Sequence, residues 1–267
     1  MTASPFDDIR ALIGQSQAQD PVSRPASAGG SPIAAAADWV RAWRGGARIA
    51  RPILALYAGA HAGSDVAETR AFLETVAAGE AEVSRGARHL GAGLDVYDLA
   101  LDRPLPDAAS GPTMSERECA ATMAFGMEVL AKQPDLLMLV GLGPGADAAA
   151  QAVIAGLATG EAALEVLRRT GGREAAAVFG AIVGARSQNI PVLLDGLPAL
   201  AAVAVLAAMD PAAVQHCRLA GRVGELVKAL PASPPSLTEI DMAGSDGTGA
   251  LAALSIVQLA CAMAQSA

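Results

Sequence analysis

Aromatic side chains are scarce, 3% of 267 residues, although 52% of the chain is hydrophobic. A core must then be filled by Ala, Val and Leu, whose small volumes let helices pack closely. Basic residues are also few, 19 Lys and Arg against 27 Asp and Glu, for a formal net charge of -8. No Lys/Arg cluster compensates locally, so neither a nucleic acid nor an anionic membrane is an expected partner.

Cysteine is limited to Cys119, Cys217 and Cys261, which are far apart, odd in number and without metal-ligand spacing. This predicts a reducing, cytoplasmic setting rather than a disulfide framework. His61, His89 and His216 fall in separate segments, so no metal site is expected, and no cofactor is implied. The start, MTASPFDDIR, is polar and acidic and has no basic start followed by the apolar run of a secretory signal. The most membrane-like run, Leu197 to Met209, falls short of the roughly 20 residues a span requires and is expected as a buried helix.

Gln15 to Pro32 is rich in Ser, Pro, Ala and Gly, and residues 1–32 are read as a flexible lead-in. A helix follows over Ile33 to Trp43, with Trp39 and Trp43 on one face for core or dimer packing. Short apolar runs then recur at Ile53 to Ala58, Leu94 to Leu101, Leu136 to Val140, Val192 to Leu194 and Leu237 to Met242. Each is bounded by Gly, Pro or Asp and predicts a strand. Helical spacing fills the gaps, as at Phe72, Val76, Val83, Ala87 and Leu90, or over Glu116 to Lys132 behind Ser or Thr caps. The expected fold is α/β: a Rossmann-like parallel sheet with helices on both faces plus a small helical subdomain. Residues 51–248 would form the α/β core. Residues 33–50, with part of a C-terminal helix over 249–267, would form the subdomain.

Ligands in such sheets bind beyond the carboxyl ends of the strands. Glycine-containing turns follow four of the five expected strands: Gly59 to Gly63, Gly141 to Asp147, Asp195-Gly196, and Gly244 to Gly249. The turn with Gly143, Gly145, Ala146 and Asp147 is a phosphate candidate, since glycines let backbone N–H groups reach an anion at a helix N-terminus. It carries neither the Gly-Lys-Ser/Thr of a P-loop nor a dinucleotide fingerprint, and it reads equally as a tight turn capped by Asp147. Asp246 could accept a proton from a ring nitrogen, or could cap the last helix with Thr248. Asp195 could bond a ligand or cap a helix.

The order of these motifs resembles the family that moves phosphoribose from nicotinate mononucleotide to dimethylbenzimidazole in building the lower ligand of cobalamin. GGREAAAVFGAIVGARSQNIPVLLDG, Gly171 to Gly196, is similar to the family's Gly-Gly, acid, Ala-rich helix and strand ending in Asp-Gly. Asp246-Gly247-Thr248-Gly249-Ala250 resembles its Glu-Gly-Thr-Gly-Ala, and Tyr57 to Gly63 its Phe-Ala-Gly-Asp-His-Gly. Pro25 to Val40 is loosely similar to its N-terminal Pro-Gly-Ser-Leu-Gly region. The resemblance implies Asp246 as the base, with Gly143, Gly145, Ala146, Asp147, Asp195, Gly196, Gly247, Thr248 and Gly249 around the nucleotide. It implies His61 and Ser245 near the aromatic base, and a homodimer.

The family's phosphate turn, Gly-Glu-Met-Gly-Ile-Gly-Asn-Thr-Thr, is altered. Gly141 stands in the place of the Glu, and Ala146, Asp147 and Ala148 in place of Asn-Thr-Thr. The short Ala158-to-Glu161 connection omits a segment with a phosphate-binding Lys. The stretch after the fourth strand is cut down to Gln215-His216-Cys217-Arg218-Leu219. Three functions follow: an active phosphoribosyltransferase, a non-catalytic paralogue binding an aromatic base, nucleotide or protein partner, or a purely structural, dimerising protein.

Overall fold

The computed structural model describes residues 4–16, 32–222, 233–241, 244 and 246–264. Five parallel strands, β1 (Pro52–Ala58), β2 (Gly93–Asp98), β3 (Leu136–Leu142), β4 (Val192–Asp195) and β5 (Cys217–Leu219), pair in the order β2-β1-β3-β4-β5. The chain runs outward from β1 to β2 on one side and through β3 to β5 on the other. The order therefore reverses between β1 and β3, the position at which such sheets open a ligand crevice.

Side chains alternate along each strand and build two cores. Ile53, Ala55 and Tyr57 of β1 face one apolar cluster with α5 (Glu116–Gly126), α8 (Arg173–Ser187) and α9 (Leu197–Met209). Leu54 and Leu56 face the other, with α2 (Pro32–Arg44), α4 (Glu82–His89) and α10 (Thr248–Ala264). The remaining helices are α1 (Pro5–Ser16), α3 (Ala67–Ala77), α6 (Ala146–Leu157) and α7 (Ala163–Thr170). Helices thus cover both faces, and α9 is buried through nearly its whole length, as its unbroken apolar run requires.

Small residues set the helix spacing. A Cβ on Gly126 would lie 1.9 Å from the Ala177 carbonyl oxygen, and one on Gly180 would lie 1.8 Å from that of Met123. The α5 and α8 backbones therefore touch. At this contact the helix expected over Glu116 to Lys132 changes character: α5 ends at Gly126 and residues Met127–Lys132 tighten into a 3-10 turn. Its start follows the sequence, since Ser115 and Glu118 form a reciprocal capping box.

Three further expectations are corrected. Leu237 to Asp241 form no strand; Ser236 and Asp241 make single bridges to Leu219 and Arg222, and Met242 lies outside the described residues. The Thr238 hydroxyl donates to the Ala220 carbonyl and accepts from the Ile240 N–H, so a side chain diverts the backbone from a ladder. The strand beside β4 is the three-residue β5, too short to show a period. Residues 5–16 of the expected lead-in form α1, whose Phe6, Ile9 and Ile13 are buried with α5 and α8, whereas 17–31 lie outside the described residues. Trp39 and Trp43 are each only 3% exposed, so they belong to the core and offer no dimer face. The Trp39 indole donates to the His216 carbonyl, and Arg186 stacks over Trp43. Burial, with Arg186 and Arg218 nearby, pushes His216 down to about 3, so it is neutral and its Nε2–H donates to the Ile182 carbonyl. No helix among the described residues is long and apolar enough to cross a membrane.

Candidate functional site

The loops leaving β1 and β3 run side by side at the switch point. Gly59 donates its N–H to the Leu142 carbonyl, and His61 donates to that of Pro144. A Cβ on Gly143 would lie 1.9 Å from the Gly59 carbonyl oxygen, and Gly143 and Gly145 have φ of +130° and +85°. Only glycine meets both demands, so the backbone shape of the turn is specified by sequence. Gly145 precedes the first turn of α6, where the helix dipole places partial positive charge, although the Ala146 N–H is already bonded to the Gly143 carbonyl.

A cleft of about 350 Å³ opens on this turn. Gly141, Leu142, Gly143, Pro144, Ala146 and Asp147 form one wall, and Gly244 and Asp246 face them. Asp65, Glu68, Thr69 and Phe72, at the start of α3, complete it. These four lie outside the sequence-based candidates, because an exposed acidic helix start has no distinguishing pattern. Four carboxylates thus line the cleft, with no Lys, Arg or His among its described lining residues.

The candidate residues fall at different depths. Asp147 Oδ2 accepts the Gly244 N–H at 3.2 Å and so ties the two walls together. Asp246 Oδ1 accepts from the Thr248 N–H and hydroxyl at 3.0 and 2.6 Å. Asp246 therefore braces the start of α10 while lining the cleft, and the capping and ligand readings coexist. Asp195 is fully buried beneath, its Oδ2 accepting the Ala250 N–H at 2.7 Å. It caps α10, not the helix that follows it in sequence, and Gly249 lacks a Cβ that would crowd this carboxylate at 2.8 Å. Gly247, φ +98°, packs on Leu54 and Leu56. Gly196, φ +88°, turns β4 into α9 away from the lining. Ser245 lies outside the described residues.

His61 flanks the turn: a Cβ on Gly145 would come within 2.8 Å of the His61 Cβ. Its Nε2–H donates to Glu174 Oε1 at 2.9 Å, and Glu174 is completely buried. Burial by itself would lower the His61 pKa, and Arg173 adds to that. The hydrogen bond and charge of Glu174 outweigh both and raise it. In the sequence Glu174 is distinguished only as the acid after Gly171-Gly172. That glycine pair is its signal, since a Cβ on the second member would lie 1.8 Å from the carboxylate. Among the described residues no group of three or more His, Cys, Asp or Glu is arranged to hold a metal ion.

Comparison with known proteins places this geometry. A family model described as phosphoribosyltransferase matches residues 15–164 and 158–267. The nicotinate-nucleotide–dimethylbenzimidazole phosphoribosyltransferase of Rhizobium rhizogenes is 34% identical over 98% of this chain and 94% of its own length. Its counterpart in Sinorhizobium medicae is 35% identical over 98% and 95%. The first alignment spans 328 positions against 267 residues here, so the relative carries segments that this chain lacks. The family match divides at 158–164, around the connection expected to be shortened. A crystal structure of the enzyme of the same name from Thermus thermophilus superposes with a TM-score of 0.73 at 22% identity, covering 96% of this chain and 94% of that one. The chain belongs to the nicotinate-nucleotide–dimethylbenzimidazole phosphoribosyltransferase family.

Proposed function

We propose that the chain transfers phosphoribose from nicotinate mononucleotide to dimethylbenzimidazole or a closely related base, with Asp246 as the base catalyst. The observation that carries this is the placement of Asp246 across one cleft from the glycine turn before α6. A ring nitrogen of the acceptor would attack C1′ of the ribose while the bond from C1′ to the nicotinate nitrogen breaks. Nicotinate leaves with the electron pair, and the ring N–H proton passes to Asp246. The carboxylate that takes it is fixed in position, because Oδ1 is held by Thr248.

Gly143, Gly145, Ala146 and Asp147 would receive the nucleotide's phosphate end by backbone alone. Gly247, Thr248 and Gly249 would shape the Asp246 turn, Asp195 supports it from below through Ala250, and Gly196, which turns β4 into α9, would act on the nucleotide only through Asp195. Ser245 and His61 would approach the aromatic base or the donor. A homodimer is part of the proposal, and Leu259 and Met263 of α10, 53% and 67% exposed, support a contact there. A cytoplasmic setting agrees with three buried, unpaired thiols. The test is incubation with nicotinate mononucleotide and dimethylbenzimidazole, separating products by chromatography. Base-dependent release of nicotinate with a matching new ribotide is expected; no turnover with any benzimidazole would overturn the proposal.

A further inference from the structure

The cleft is lined by four carboxylates and, among its described lining residues, by no basic side chain, so an anionic donor needs positive charge from elsewhere. The candidate source is the His61 imidazole, which packs against Gly145 of the turn and is bonded to Glu174. Glu174 is fully buried, yet only Oε1 has a partner; Oε2 makes no hydrogen bond among the described residues. A carboxylate kept only for stability would be expected to have both oxygens satisfied. Three glycines from separate segments leave room for it. A Cβ would lie 2.2 Å from Oε2 at Gly59, 1.8 Å from Oε1 at Gly172, and 3.2 Å from the Glu174 Cβ at Gly141. The ends of β1 and β3 and the start of α8 are thus built around this one carboxylate.

Glu174 engages His61 through Nε2, and Nδ1 makes no hydrogen bond among the described residues. His61 also touches Gly145 and donates its backbone N–H to Pro144, so the imidazole and the phosphate turn form one unit. The charged groups acting on the ring both come from α8, Glu174 and Arg173. From the β3–α6 turn, the uncharged Pro144 and Gly145 lie against His61.

We propose that Glu174 is a positioning residue, holding His61 by Nε2 so that the imidazolium meets an oxyanion of the donor beside the Gly143–Gly145 turn. This rests on the functional reading above. Two oxyanions share that chemistry, the donor's phosphate and its nicotinate carboxylate. The change to Gly141 and the loss of Asn-Thr-Thr are then offset by charge delivered from the β1 loop.

The experiment is calorimetric binding of nicotinate mononucleotide, nicotinate riboside and nicotinamide mononucleotide. Wild type, Glu174→Gln and His61→Asn are compared between about pH 5.5 and pH 8.5, the range around the ordinary imidazole value. Glu174→Gln removes the charge that raises the imidazole pKa and leaves burial to lower it. Its affinity penalty should be small at the acidic end, where both imidazoles are charged, and reach roughly tenfold, the scale of one charge-assisted hydrogen bond, where the variant has lost its proton and the wild type has not. His61→Asn, at a partly exposed position, should carry that penalty already at the acidic end and lose it as the wild-type imidazole gives up its proton. A penalty absent for the riboside identifies the phosphate; one absent for the nicotinamide form identifies the carboxylate.

Unchanged affinities, a penalty of equal size at every pH in Glu174→Gln, or a wild type that binds none of the three ligands would each overturn the inference. Product formation separates the two proposals. Turnover with an unchanged Glu174→Gln sinks only this one, whereas the predicted binding pattern without turnover sinks only the transferase reading.

Discussion

The turn after β3 and the turn before α10 face one cleft, joined where Asp147 accepts the Gly244 N–H. The β3 turn has strict backbone demands, two positive-φ glycines pressed against the β1 loop, while its side chains at Ala146, Asp147 and Ala148 offer no hydrogen-bond donor. The α10 turn keeps a carboxylate, Asp246, which also serves the helix beneath it. Shape and chemistry are thus carried by separate atoms in the first and by the same atoms in the second. Side chains can drift where the backbone alone makes the cradle. They are more tightly constrained where one carboxylate oxygen caps a helix and the residue also lines the cleft.

The largest effect should come from removing the chemistry while leaving the cap. Asp246→Asn keeps an amide oxygen for the Thr248 N–H and loses the proton acceptor. The expected result is a kcat lower by roughly 10²–10⁴-fold, the usual contribution of a positioned base. Donor affinity should hold, and stability should shift by no more than about 0.5 kcal/mol. Steady-state kinetics with calorimetry and thermal melting reads all three. An unchanged kcat would remove Asp246 from the chemistry and erase the contrast between the turns.

The complementary change attacks shape. Gly143→Ala forces a side chain into φ +130° and within 1.9 Å of the Gly59 oxygen. Strain of this kind costs about 1–3 kcal/mol before any clash is relieved, and Tm should fall by roughly 2–4 °C per kcal/mol in a chain this size. Gly63→Ala is the control, since φ is +73° there but no atom lies within 4 Å of the added Cβ. Its loss should stay near about 1–2 kcal/mol, the left-handed penalty alone. Equal melting shifts for the two variants would show that the β1–β3 contact contributes nothing.

Much of this architecture is legible in the sequence because it follows a local period. The four longer strands are bounded apolar runs, α9 is an uninterrupted one, and the glycine turns stand where strands end. The strand expected at Leu237 and the unexpected β5 share a cause: pairing next to β4 is decided by backbone bonds over three residues, which leave no pattern to read. α1 is hidden because Phe6, Ile9 and Ile13 are too few to stand out beside a Ser/Pro-rich stretch, although tertiary contact buries all three. In the site, Asp246 and the β3 turn are contiguous motifs. The Glu174–His61 pair joins residues 113 positions apart, and the acidic lining from α3 depends on where that helix starts in space. Asp195 is assignable as a cap in general, but its client is α10, more than fifty residues on.

The smallest expected effect sharpens the comparison at its seam. Asp147 holds a negative charge in the first turn of α6, where the donor's phosphate would dock, and tethers the opposite wall. Two unit charges about 4 Å apart repel by roughly 1 kcal/mol in water and by more in a cleft. Asp147→Thr should therefore raise the affinity for nicotinate mononucleotide by up to about tenfold at low salt. The gain should shrink as ionic strength rises and the charges are screened over about 10 Å or less. The lost bond to Gly244 works the other way, loosening the turn that aims Asp246, so kcat should not rise with affinity. Calorimetry and turnover measured across a salt series distinguish these two consequences. If affinity does not improve at any salt concentration, Asp147 is a tether only, and the phosphate end of the donor lies elsewhere than on the α6 N-terminus.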